Sequence, residues 1–343
     1  MRTALFLAVL SAATVAHANV WDHASSGDAG SLDSYRDAMS QGDGYTRQAN
    51  AVSLTADVVK QYVDRALASY QLAASKRPSE GEPYYRMAEV LGAFFTDCPV
   101  MARRFQSRLP QTCPGSGSAI NRDRAVQASD AWDKFEQLAP LDPRVNDARF
   151  ERAILRTKLV EGAKDPAPLL ERALTYYIAL IDRSDGTSNF EPEVVWGNLA
   201  ETYMMLGKLG DAIDSYKVAV SMGAGPSTAY GLAVAFDRDG SPGEALDTIR
   251  AQGEDAVNQY YLGYLEGAIF YVPRGEVNYY MGLVMEAWGH YDLAADNWDK
   301  FVKSGAHPLF QARAKQHLDA MTKKAKLHPE VRSGNAEDLY ELP

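Results

Sequence analysis

The residue types that could do chemistry are sparse in this chain and poorly spaced for it. His23, His290, His307, His317 and His328 are scattered, and none forms a His-Glu-x-x-His pair that would put two imidazoles on one helix face for zinc. Surface or helix-end positions are the expectation for them. Two close carboxylate pairs, Glu191 with Glu193 and Asp237 with Asp239, invite comparison with glycoside hydrolysis. That reaction needs one carboxyl held protonated in a shielded pocket, whereas charges at a helix start or in a turn account for both pairs. Pro114-Gly115-Ser116-Gly117-Ser118 lacks the Gly-x-Ser-x-Gly elbow that exposes a nucleophile. Gly223-Ala224-Gly225 precedes a helix but has neither the third glycine nor the strand of a phosphate cradle. The expectation is a non-enzymatic protein without metal or cofactor.

The N-terminus and the charge balance narrow the setting. Met1-Arg2-Thr3 carries one positive charge, Ala4 to Val15 is apolar or small, and Ala16-His17-Ala18 supplies a small-x-small cleavage pattern. Residues 1–18 therefore read as an export signal, with a mature chain from Asn19 in the periplasm or the surrounding medium. The apolar run is about 12 residues where a membrane span needs roughly 20, and no later stretch is long and apolar enough. A formal net charge of −10 argues against a phosphate-backbone partner, so nucleic acid is not expected. Cys98 and Cys113 are the only cysteines and share one Pro- and Gly-bearing stretch, Thr96 to Ser118. In an oxidising compartment such a pair reads as a disulfide, closing a loop of about 15 residues and contributing roughly 3 kcal/mol. A metal site would need more ligands, and no histidine lies in that stretch.

Helices are predicted from small and aromatic residues three and four apart, which fall on one helix face. The sets are Ala66, Tyr70 and Ala73; Ala128, Trp132 and Phe135; Ala173, Tyr177 and Leu180; Ala212, Tyr216 and Ala219; Ala245 and Ile249; and Ala294, Trp298 and Phe301. Between Val194 and Pro226 a longer pattern appears: Trp196, Leu199, Ala200 and Tyr203 precede Ala212, Tyr216 and Ala219. It returns 33 residues later as Ala229, Leu232, Ala233 and Phe236, then Ala245 and Ile249. Such a period means stacked helical hairpins, each burying its apolar face only against its neighbours. Pro192 sits just inside a helix start, and Gly207, Gly240 and Gly289 fall at the turns between paired helices.

These spacings resemble the tetratricopeptide repeat, a 34-residue helix-turn-helix unit, most specifically over residues 193–250 and well over 275–308. The implied fold is all-α: a right-handed α-solenoid of stacked hairpins with a C-terminal capping helix, Leu309 to Met321. The expected map is a signal peptide (1–18), a flexible N-terminal segment (19–47), the solenoid (48–322) and a flexible tail (323–343). Within the solenoid lie an insertion with the cysteine loop (about 96–120) and a divergent aromatic segment (about 255–273). That segment brings together Tyr260, Tyr261, Tyr264, Phe270 and Tyr271.

The resemblance also implies which residues line a concave groove. They are Tyr85 and Glu89; Val194, Asn198, Glu201 and Met205; Tyr230, Val234 and Asp237; and Tyr279, Leu283 and Glu286. Tyrosines alternate with acids along this face, which suits an extended peptide or partner helix that is apolar with some basic character. The implied role is an exported protein–protein interaction scaffold or adaptor binding a protein or peptide partner. Two readings stay open beside it: a glycan or peptidoglycan-fragment binder using the aromatic segment, and an α/α-toroid-like glycoside hydrolase.

Overall fold

The computed structural model describes residues 28–51, 54, 56–93, 122–182, 190–265, 269 and 273–329, and among these every regular element is a helix. The expected signal, the Cys98 and Cys113 pair, Phe270, Tyr271 and most of the C-terminal tail lie outside the described residues. The chain divides into two compact units.

The first unit holds α1 (Asp28–Ala49), α2 (Ala56–Lys76), α3 (Glu82–Ala93) and the latter part of α4 (Arg122–Leu138), from Asp130 onward. Over residues 28–47, α1 stands where a flexible segment (19–47) was expected; residues 19–27 lie outside the described residues. Gly42 allows close packing: a Cβ there would run into the buried Tyr70 ring. The Tyr70 hydroxyl donates to Asp43 at 2.8 Å and pairs with the Thr46 hydroxyl at 3.1 Å, tying α2 to α1. Tyr85 of α3 meets Trp132 and Phe135 of α4 edge-on, each with ring centroids 5.0 Å away.

The second unit runs in sequence order through α5 (Val145–Lys158), α6 (Ala167–Ile181), α7 (Pro192–Met205), α8 (Leu209–Ser221), α9 (Pro226–Arg238), α10 (Pro242–Arg250), α11 (Asp255–Leu265), α12 (Val277–Ala287), α13 (Tyr291–Ser304) and α14 (Gln311–Leu327). α5–α6, α7–α8, α9–α10 and α12–α13 are packed pairs, α6 packs on α7, α8 on α9, and α14 on α13. This is the tetratricopeptide-like hairpin stack that the spacing implied, closed by a C-terminal helix. Proline opens α7, α9 and α10, where its missing N–H costs nothing. Gly207 and Gly240 turn the chain between paired helices at φ of 74° and 92°, a region costly for other residues.

Small residues opposite rings set the hairpin spacing. A Cβ on Gly231 of α9 would lie 2.6 Å from the Tyr216 ring of α8, and one on Gly282 of α12 would lie 2.7 Å from Trp298 of α13. Trp298 is fully buried, so truncation to alanine costs about 3–5 kcal/mol. The C-terminal helix extends to Leu327, past the expected boundary at residue 322. Its Lys324 lies 5.2 Å from the Tyr291 ring centroid, so residues 323–327, expected in the flexible tail, belong to a docked helix with its lysines outward.

The divergent segment is the main departure from the repeat. α11 intervenes between α10 and α12 and packs on α9, with the Tyr260 ring edge-on to Tyr230 at 4.9 Å.

Candidate functional site

α7 presents Val194, Gly197 with Asn198, Glu201 and Met205 at offsets of three and four, one face of the helix. That face lines a cleft of about 430 Å³, within the usual range of ligand pockets of about 300–1,000 Å³. The other walls come from Tyr177 of α6, Tyr216 of α8, the Gly223–Gly225 loop, Ser227 and Thr228 at the start of α9, Ile269, and Tyr280 of α12. Gly197 faces the Thr228 side chain, where a Cβ would sit 3.4 Å from the hydroxyl, in ordinary contact.

Glu201 is the charged group deepest in this arrangement. The hydroxyls of Tyr216 and Tyr280 donate to its Oε2 at 2.5 and 2.9 Å, bringing residues from α8 and α12 onto one carboxylate. Burial raises the Glu201 carboxyl above its ordinary range, the Glu276 carboxylate adds to this, and the two phenols counter it. Burial likewise raises the Tyr216 phenol, reinforced by Glu201. Tyr177 is raised by burial and hydrogen-bonds to Asn198, which holds that amide in the cleft wall.

A different arrangement covers the equivalent faces of α9 and α12. Asp237 is fully buried and accepts from the Tyr279 hydroxyl at 2.6 Å, from the Arg313 guanidinium at 2.5 Å and from His317 Nε2 at 3.0 Å. His317 Nδ1 lies 2.8 Å from Glu286, and its ring stacks on Trp298 at 4.5 Å. Hydrogen bonds from His317 and Arg313 overcome burial and hold Asp237 well below the carboxylate range. Against its own burial, hydrogen bonds to Asp237 and Glu286 lift the His317 pKa to about 9. Arg238 and Glu276 form a second pair at 2.5 Å with both side chains buried, the guanidinium lying between the Tyr279 and Phe310 rings at 4.4 and 4.2 Å.

The groove residues implied by the repeat thus divide. Val194, Asn198, Glu201 and Met205 come together on the cleft. Tyr230, Val234, Asp237, Tyr279 and Leu283 are buried, and Glu286 is engaged by His317. They are corrected from groove lining to core because α11 covers Tyr230 and α14 covers Asp237 and Glu286. His317 is corrected too: it is buried rather than at the surface. In the first unit, Tyr85 packs in its aromatic cluster and Glu89 pairs with Arg86 at 3.1 Å. Tyr280, Thr228 and Ile269 of the cleft carried no sequence signal beyond the repeat register. The Gly223-Ala224-Gly225 run did stand out, and it forms a wall of the cleft rather than a phosphate loop.

No family model and no curated protein matches the chain. Among solved structures, it is similar to PilF of Pseudomonas aeruginosa at 12% identity, with a TM-score of 0.46 over 84% of this chain and 99% of that one. It is also similar to YrrB, a TPR protein with an unusual peptide-binding site, at 14% identity and a TM-score of 0.37 over 72% and 97%. The tetratricopeptide-like character rests on this chain's own hairpins and their small-residue crossings. No described helix is long and apolar enough to cross a membrane, and no cluster of metal-binding side chains occurs among the described residues.

Proposed function

We propose that this protein is an exported, non-enzymatic scaffold that holds a peptide segment of a partner protein in the cleft over α7. The observation that carries the reading is the selective opening of the hairpin face. Four residues at groove positions, Val194, Asn198, Glu201 and Met205, meet about 430 Å³ of open space, while their counterparts on α9 and α12 are covered by the chain itself. A concave site with an apolar wall and a few fixed polar groups suits an extended segment. Export rests on the N-terminal pattern, and the cysteine pair agrees with it. Cleavage before Asn19 is checked by N-terminal sequencing of the protein purified from its native envelope.

The test of the binding reading is selection from a random peptide library on the mature protein. Val194 is 42% exposed at the cleft, so Val194→Trp fills the site without disturbing the core. Leu141→Trp, at a residue 96% exposed and outside the cleft, is the matched control. Retention of the selected peptides is expected to collapse in the first variant and persist in the second. Equal retention by both would remove the assignment.

A further inference from the structure

The electrostatics of the cleft are one-sided. Glu191, Glu193 and Glu201 all line it, and no lysine, arginine or histidine does among the described residues. Glu201 is held by two phenols and by no direct ion pair among the described residues. Both tyrosines donate to Oε2, while Oε1 receives no hydrogen bond among the described residues and stays open to the cleft. The nearby cation is paired with a different acid: Arg238 lies 2.5 Å from Glu276 Oε1 and reaches Glu201 only through its longer-range field. A fixed, partly desolvated carboxylate oxygen that is in no direct ion pair is costly, and a ligand that supplies a contacting cation recovers part of that cost.

The walls fit the stem of such a ligand. Met205, Ile269 and the rings of Tyr177 and Tyr280 offer apolar surface around the approach to Glu201. Lysine and arginine carry an aliphatic chain beneath a charged head, and aromatic faces attract that head as well. Glu191 and Glu193 sit at the start of α7, where they attract a basic segment from a distance. Building on the peptide-binding reading above, we infer that the cleft is a pocket for one lysine or arginine side chain of the bound peptide, with Glu201 Oε1 as its counter-ion.

The experiment uses peptides selected on the mature protein and compares each with a copy whose basic residue is replaced by norleucine or citrulline. On the wild-type protein, one such replacement should weaken binding at least about tenfold, and replacements elsewhere should not. In Glu201→Gln, which keeps the side-chain shape, the norleucine penalty should shrink to about twofold or less, the signature of a direct pair. The peptide arm needs no altered protein, so the inference stays testable even where Glu201→Gln folds poorly. Peptides blocked by Val194→Trp yet indifferent to norleucine would overturn the lysine or arginine pocket and leave the peptide cleft standing. Absence of any peptide blocked by Val194→Trp would overturn both.

Discussion

The α7 face and the α9–α12 face are built from the same repeat register and end in opposite states. On α7, Glu201 meets an open cleft and two phenols. On α9, Asp237, three positions on in the repeat, is sealed under Arg313 and His317, and Tyr230 is sealed under Tyr260. The repeat determines which side chains point to one face. What covers that face is decided by the segments that break the repeat, here α11 and the C-terminal helix α14. A hairpin stack can in this way keep one length of its groove for a partner and fill another with its own chain.

The sharpest way to break the contrast is at Asp237. Asp237→Ala leaves Arg313, His317 and the Tyr279 hydroxyl without their shared acceptor and should cost about 3–5 kcal/mol in chemical denaturation. A loss below about 1 kcal/mol would mean that α14 does not seal this face.

Next in size is the pH dependence of the same seal. His317 has its pKa raised from 6.5 to about 9, so folding favours its charged form. Its contribution is complete below pH 6.5 and disappears as pH rises through about 9. Asp237 is shifted downward from 3.8, so its contribution is present above that value and disappears as pH falls through its folded range. Glu286, Arg313 and Tyr279 also face this cluster and set how steep the change is. Thermal melts should show an alkaline loss on the order of 2 kcal/mol that His317→Gln abolishes.

The open face should be far more tolerant. Glu201→Gln retains acceptors for both tyrosines and should change stability by no more than about 1 kcal/mol, in contrast with Asp237→Ala. The smallest effect is expected at Tyr230, whose buried hydroxyl has no hydrogen-bond partner among the described residues. Tyr230→Phe should leave stability within about 0.5 kcal/mol of wild type or raise it slightly, while Tyr230→Ala should cost about 3 kcal/mol or more.

Particular residues show what could be read in advance. Ala200 with Tyr216 and Ala294 with Trp298 encode close helix crossings, and their spacing located α7 to α10, α12 and α13 because the packing they report is local. α1 was hidden by composition: Gly30, Gly42 and Gly44 suggest an unstructured tail, yet Gly42 is required by the ring of Tyr70, 28 residues later. The cleft was half legible. The α7 register supplied its one wall, but Tyr280 and Ile269 reach it from beyond α11, where the stack departs from the repeat. Burial of Asp237 and Tyr230 was illegible for the same reason, since their partners lie 76 and 30 residues away with no period linking them.

Methyl NMR spectra of the methionine-labelled protein, recorded while a library-selected peptide is added, tell the open face from the sealed one. Met205 lines the cleft, whereas Met285 is buried in the closed α12 region. The Met205 methyl is expected to shift with saturable dependence on peptide while Met285 stays in place. A Met285 signal that moves while Met205 remains still would contradict it, placing the partner on the face that the chain was held to seal.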